Sequence, residues 1–245
     1  MLFYGLLSLS MMEIALYVGA AVIPAIFLMR YVYTQDSPED REPPALLWRL
    51  ALSGVYAALA AMVLEWLEDG VIIPAFHIQD KMTLLIVQMV FVGITEEGAK
   101  LFFLKKRTWN NLNFNYTYDG MMYSVFVSLG FAAFENILYV FNYGLSVAFS
   151  RAIFAIPAHF GFSVIMGIMY ARAKFCDSRG DGVGKTANML LGYLLAIAMH
   201  AFYDTTASMN SNMGTGVFLI FVVIMYFVIY RLIKHEARTD RPIYY

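Results

Sequence analysis

The sequence has 245 residues, of which 60% are hydrophobic and 14% are charged, and its formal net charge is −1. Soluble domains carry about a quarter charged residues, so this chain has too few to cover the surface of a water-soluble domain. The basic residues are scattered between apolar runs rather than gathered on one face, which excludes a nucleic-acid partner. The composition therefore predicts an integral membrane protein whose surroundings are the lipid bilayer of the cell membrane.

Seven apolar runs are long enough to cross a bilayer, which requires about 20 residues. They are predicted at residues 8–29, 48–67, 82–104, 120–141, 149–171, 187–207 and 214–232. Because the connections are short, the predicted fold class is all-α, a polytopic membrane helical bundle of about seven transmembrane helices. The chain is predicted to form a single domain over residues 1–245, with the catalytic helices at about 82–207.

The basic residues predict the orientation of the bundle. Most Lys and Arg residues fall in alternate connections and in the C-terminal tail. Since positively charged loops stay in the cytoplasm, the N-terminus is predicted outside and the C-terminus in the cytoplasm. Glu13 and Glu65 lie near the outer boundary, where a helix-end or snorkelling role is expected. The apolar segment 72–76 contains a proline and is predicted to be a short re-entrant piece.

The third predicted span contains two adjacent carboxylates, Glu96 and Glu97, followed by Lys100. Residues three and four apart share a helix face, so Lys100 can reach both carboxylates. One lysine cannot neutralise two acids, and ionisable groups inside a bilayer are costly and mark functional sites. The pair is therefore predicted to hold one proton and one lone pair, as acid–base catalysis on a water requires. A structural ion pair between Glu97 and Lys100 is the alternative.

Three further spans carry polar residues that lipid does not tolerate. The fourth contains Glu135 and Asn136, the fifth contains His159 just after a proline, and the sixth contains His200 and Asp204 on one face. A rise of about 1.5 Å per residue places the glutamates and histidines at compatible depths, so they can meet in one layer. The alternatives are structural: an interhelical hydrogen bond from Asn136, a carbonyl freed by the proline that holds His159, and a His200–Asp204 pair.

Four motifs follow one another in consecutive spans: Glu96-Glu97-x-x-Lys100, Phe134-Glu135-Asn136, His159 and His200-x-x-x-Asp204. In order, spacing and helix assignment they resemble the PrsW family of bacterial intramembrane proteases, which is similar to a wider group that includes type II CAAX prenyl endopeptidases. The resemblance covers about residues 92–204. It implies a peptidase that cuts a membrane-tethered substrate, and PrsW-like members are associated with site-1 cleavage of anti-sigma factors.

By residue match, the resemblance assigns the family's paired glutamates to Glu96 and Glu97, its second-motif acid to Glu135, and its two histidines to His159 and His200. The resulting hypothesis is hydrolysis of a single-pass membrane protein substrate in a cavity that opens toward the outer half of the bilayer. One of the paired glutamates activates the water, while the histidines, with Asn136, polarise the carbonyl and bind the oxyanion.

This mechanism uses no cofactor, and three rivals remain open. The first is a zinc peptidase with Glu97, Glu135, His159 and His200 as ligands, although the sequence lacks an HExxH motif. The second is a proton-coupled transporter, which would use the same acids and histidines as a relay and predicts inverted repeats. The third is a non-catalytic scaffold that presents substrates to other proteins.

Overall fold

The structure is a computed structural model that describes residues 10–244. This part of the chain is helical, apart from connections and an isolated bridge between Tyr116 and Pro242. A π-helical turn at Glu68–Ile72 and a short helical turn at Ile73–Ala75 continue the second helix. The helices are α1 (Met11–Gln35), α2 (Pro44–Leu67), α3 (Lys81–Thr108), α4 (Thr117–Tyr143), α5 (Leu145–Ile153), α6 (Ala155–Asp177), α7 (Gly182–Ser208) and α8 (Asn212–Arg238).

Seven helical segments within the described residues are long and apolar enough to cross a membrane, which confirms the predicted fold class. The predicted start of the first span at residue 8 lies outside the described residues, and α1 begins at Met11. The re-entrant piece predicted at residues 72–76 is wrong, because the π-helical turn carries this segment on as an extension of α2. The orientation across the membrane stays a prediction, and "outer end" below means the end predicted to face outward.

The first helix begins with a capping box. The Glu13 backbone N–H donates to Ser10 Oγ at 3.3 Å, and Ser10 N donates to Glu13 Oε2 at 2.7 Å. These two hydrogen bonds satisfy two backbone N–H groups that a helix N-terminus would otherwise leave unpaired. Glu13 is therefore a helix-end residue, as predicted, and takes no part in a site.

Five helices close into a ring in the order α2, α3, α7, α6 and α4, and each packs against the next. Helix α1 packs on the outside of α4, and α8 packs against α6 and α7. The approach of α2 to α4 depends on glycine at two positions. A Cβ atom at Gly54 would lie 1.9 Å from the Val127 carbonyl oxygen, and one at Gly130 would lie 2.0 Å from that of Ala51. Only glycine permits backbones to approach this closely.

The fifth predicted span is broken near its outer end, where α5 ends at Ile153 and α6 begins at Ala155. Pro157 has no backbone N–H, so it cannot satisfy the Ile153 carbonyl. That carbonyl instead accepts a hydrogen bond from the Tyr226 hydroxyl of α8. The prediction that the proline frees a carbonyl is thus confirmed. The hydrogen-bond partner of this carbonyl is Tyr226 of the neighbouring helix α8 rather than His159.

Candidate active site

Polar side chains from four helices meet inside the ring. Helix α3 supplies Glu96 and Glu97, α4 supplies Glu135, α6 supplies His159 and α7 supplies His200. Both α3 glutamates and both histidines are buried, while the Glu135 side chain is 23% exposed. The meeting of these glutamates and histidines in one layer agrees with the compatible depths that the helix rise predicts for them.

Lys100 lies at the centre of the group and is fully buried. Its Nζ atom lies 3.0 Å from Glu96 Oε2, 2.8 Å from Glu97 Oε1 and 3.0 Å from His159 Nδ1. An ammonium group has three protons and no acceptor, so these three atoms take one proton each. His159 Nδ1 therefore accepts, and its Nε2 carries the proton that is donated to Glu135 Oε2 at 3.1 Å.

Carboxylates hold both ring nitrogens of His200. Its Nδ1 lies 2.8 Å from Glu97 Oε1, and its Nε2 lies 3.0 Å from Asp204 Oδ2. The same Nε2 lies 3.8 Å from Glu96 Oε2. The ring also packs edge-on against His159, with ring centroids 5.4 Å apart. These contacts fix the orientation of the imidazole, so the predicted pairing of His200 with Asp204 is present in the structure.

Glu135 joins the histidine layer to the outer end of the bundle. Its Oε2 accepts from Arg151 Nη2 at 2.7 Å as well as from His159. Arg151 Nε donates to Asn136 Oδ1 at 2.9 Å, and Asn136 Nδ2 donates to the Ala21 carbonyl at 2.9 Å. Asn136 is fully buried with both amide atoms engaged. The structure therefore favours its structural alternative, an interhelical hydrogen bond, over contact with a substrate carbonyl.

A cavity of about 620 Å³ opens beside this cluster. Its wall contains five of the predicted polar residues, Glu96, Glu135, His159, His200 and Asp204. Glu97 and Lys100 are absent from this wall and have no exposed surface. The two adjacent glutamates therefore differ in access, since one faces the cavity and the other lies behind it.

Two further charged side chains, Arg151 and Glu65, line the cavity without having been predicted as site residues. Arg151 lies on α5, near the outer end of the bundle. A lone arginine between apolar residues near the polar spans was the signal that could have identified it. Glu65 was expected to snorkel or to end a helix, but its Oε1 atom is buried and has no hydrogen-bond partner among the described residues.

Four side chains of the cluster can hold a metal ion. Each of Glu96, Glu97, His159 and His200 offers a ligand atom, and these atoms lie within 4.8 Å of one another. Imidazole nitrogens and carboxylate oxygens are donors that zinc accepts. Glu97 also has a buried Oε2 atom without a partner among residues 10–244. These residues fit zinc, but the group differs from the predicted ligand set because Glu96 takes the position expected for Glu135.

The fold and site define a multi-pass membrane protein with an acid–base cluster beside a polar cavity. The chain belongs to the PrsW family, since the model described as "PrsW family intramembrane metalloprotease" matches residues 42–233. The protein is therefore an intramembrane protease that acts on protein substrates, rather than a transporter or a scaffold.

Several curated relatives carry the name Protease PrsW. The relative from Geobacillus kaustophilus is 29% identical over 228 residues, which cover 92% of this chain and 94% of the relative. The relative from Clostridioides difficile is 29% identical, with coverage of 84% of this chain and 85% of the relative. The relative from Bacillus subtilis is 30% identical, with coverage of 80% and 84% respectively. No solved structure matches the chain.

Proposed function

We propose that the protein hydrolyses a peptide bond of a single-pass membrane protein inside the large cavity, with Glu96 as the general base. A general base must lie within hydrogen-bond reach of the water that it activates. Of the two adjacent glutamates, only Glu96 lines the cavity, while Glu97 is fully buried against Lys100 and His200. This difference in access is the observation that supports the assignment. An anti-sigma factor is the substrate class that the family resemblance implies.

The proposed reaction moves one proton in and out of Glu96. The carboxylate takes a proton from water as the water oxygen forms a bond to the carbonyl carbon. His159 and His200 line the same cavity, and in the metal-free form their Nε2 atoms, which contact Glu135 and Asp204, share their protons with the oxyanion that develops on the carbonyl oxygen. The C–N bond then breaks, and Glu96 returns its proton to the leaving amine. The products are a carboxylic acid and an amine, and the Glu96 carboxylate is regenerated.

The remaining charged residues position the reacting groups in this proposal. Glu97 and Asp204 hold the two nitrogens of His200, and Glu135 holds His159 Nε2. Lys100 binds Glu96 on the side away from the cavity, so one Glu96 oxygen is held in place. Groups that neighbouring hydrogen bonds hold in the reacting geometry react faster, because less entropy is lost and less reorganisation is needed to reach the transition state.

A zinc ion is part of the proposal because the donor set fits it and the family is described as a metalloprotease. Glu97, His159 and His200 would hold the ion, which leaves Glu96 free to act as the base. When bound, zinc polarises a carbonyl and lowers the pKa of a bound water. Three protein ligands with an open position are the usual arrangement in catalytic zinc sites.

The test is reconstitution of the purified protein in lipid vesicles with candidate single-pass substrates, including anti-sigma factors. We expect wild type to cut at least one substrate and Glu96→Gln to lose about 10²–10⁴-fold in kcat, since general base catalysis contributes that much. The mass of the fragments gives the position of the cut. Glu39→Gln makes the same chemical change on an exposed connection and should leave the rate unchanged.

Two results would contradict the proposal. Full activity in Glu96→Gln would exclude this residue as the base. If Glu97→Gln then lost activity while Glu96→Gln kept it, the role of base would move to Glu97. Failure of wild type to cut any member of a broad set of single-pass substrates would overturn the proposed substrate class.

A further inference from the structure

A second, smaller cavity of about 240 Å³ lies between α2 and α4. It shares four wall residues with the large cavity: Glu65, Glu96, Glu135 and Tyr139. The two cavities therefore meet at the glutamate proposed as the base. A peptide whose cleaved bond lies at Glu96 has room for a neighbouring side chain in the smaller cavity.

The walls of the smaller cavity suit the stem of one long side chain. Ala58 and Ala61 of α2 are small, and they face Phe131, Phe134 and Leu138 of α4. Small-molecule sites occupy roughly 300–1,000 Å³, so a cavity below this range suits a side chain better than a separate ligand. The apolar walls provide a surface along which the methylene stem of a lysine or arginine can bury while its charged end finds a polar group.

Glu65 supplies that polar group. Every other carboxylate near the junction has a donor in the protein: Glu96 has Lys100, Glu135 has Arg151, and Asp204 has His200. Glu65 Oε1 is buried and has no partner among the described residues. A buried acceptor without a partner is unfavourable, so a donor that reaches it is favoured.

The position of Glu65 is held by a contact to α3. Thr95 donates a hydrogen bond to Glu68, which lies one turn after Glu65. Thr95 directly precedes Glu96, so this contact ties the outer end of α2 to the residue beside the proposed base. Glu65 is therefore held next to the reacting groups instead of reaching outward to the membrane surface.

We propose that Glu65 and the cavity between α2 and α4 form a substrate subsite for a lysine or arginine side chain next to the cleaved bond. The side chain's stem packs between Ala61 and Phe134, and its ammonium or guanidinium group donates to Glu65. A charge-assisted hydrogen bond of this kind is stronger and more selective than a neutral one. The inference rests on the proposed function, because the subsite is defined by Glu96, which lines both cavities.

The test uses a single-pass substrate that wild type cuts, with one lysine moved through the residues on both sides of the cut. We expect one position at which lysine raises kcat/KM over methionine, an uncharged side chain of similar length. Glu65→Gln should remove about 10–100-fold of that preference, chiefly through KM, while the methionine substrate changes less than about twofold. Glu65→Lys should reverse the preference and favour glutamate at that position. Glu39→Gln is the matched control on an exposed connection.

Filling the cavity gives an independent measurement. Ala61→Leu should reduce cleavage of the lysine substrate more than that of an alanine substrate, because it shortens the space for the stem. Binding of the same peptides to the cleavage-deficient Glu96→Gln variant, measured by fluorescence transfer in vesicles, reports the subsite without catalysis. If wild type cuts no substrate, the proposed function fails. If wild type cuts substrates but neither cleavage nor binding depends on lysine, only the subsite fails.

Equal losses for lysine and methionine substrates in Glu65→Gln would overturn the subsite, because they would indicate a role in the reaction or in folding. Unchanged kinetics for both substrates would also overturn it, since Glu65 would then contact water only. Thermal unfolding of each variant in detergent separates a folding defect from a change in selectivity.

Discussion

Lys100 is the residue on which the arrangement of the polar cluster depends. Its buried ammonium group contacts two carboxylates of its own helix and one histidine of α6. A buried charge is tolerated only when its donors are satisfied. The three contacts satisfy all three N–H donors of the Lys100 ammonium group. The structural ion pair between Glu97 and Lys100, which was the alternative from sequence, is therefore present together with the polar cavity.

Metal content tests the cluster at the scale of single residues. Protein purified without chelator is expected to contain about one zinc ion per chain, and His159→Ala should lower this content because it removes a proposed ligand. Elemental analysis gives the content without an activity assay. His235→Ala, an exposed histidine near the end of α8, is the control. Wild-type protein with no zinc, and with activity unaffected by chelator, would contradict the metal part of the proposal.

At the scale of helices, the contact between α2 and α4 decides where the smaller cavity and Glu65 lie. The two helices meet through Gly54 and Gly130, where each glycine faces a backbone carbonyl of the other helix. Membrane helices gain stability from such close packing because lipid gives no hydrophobic drive for helix association. A change in the α2–α4 distance would move Glu65 relative to Glu135.

Gly130→Ala is expected to separate these helices. Its Cβ would lie 2.0 Å from the Ala51 carbonyl oxygen, so one backbone must shift, at a cost of about 1–3 kcal/mol. We expect a lower temperature of unfolding in detergent. Gly216→Ala on α8 meets no atom within 4 Å and should be neutral or slightly stabilising, since alanine favours helix. Equal unfolding temperatures for the two variants would show that the α2–α4 contact relaxes freely.

At the scale of the whole molecule, the connection between α1 and α2 closes the end opposite the cavity. Glu42 in this connection is buried, and its Oε1 accepts a hydrogen bond from the Tyr123 hydroxyl at 2.6 Å. The pKa of Glu42 rises from 4.5 to about 7, chiefly because the carboxyl is buried; hydrogen bonds with Tyr123 and Asp119 oppose this rise, and the nearby charge of Asp36 adds to it. The folded protein therefore holds a proton on Glu42 at pH values where the unfolded chain has lost it.

This difference in proton binding predicts that the folded state weakens as the pH rises from about 4.5 to 7. In that window the folded state binds more protons than the unfolded state, so the free energy of unfolding falls with pH, by on the order of 1–3 kcal/mol. The temperature of unfolding should be higher at pH 5 than at pH 8. Glu42→Gln cannot ionise and should lose part of this dependence. If the temperature of unfolding of Glu42→Gln fell with pH as steeply as that of wild type, the pH dependence would come from other buried acids.

The sequence by itself determined the class of protein, the seven spans and the helix faces that carry the motifs, because these depend on local composition and on the helix period. Spacing alone placed Lys100 below both glutamates and His200 beside Asp204. The tertiary structure decided which glutamate faces the cavity, and it brought Glu65 and Arg151 to the cavity wall. These outcomes depend on how each helix rotates about its axis and which helix lies beside it. Packing between distant parts of the chain sets both the rotation of each helix and its neighbour. The spacing of residues along one helix does not determine this packing.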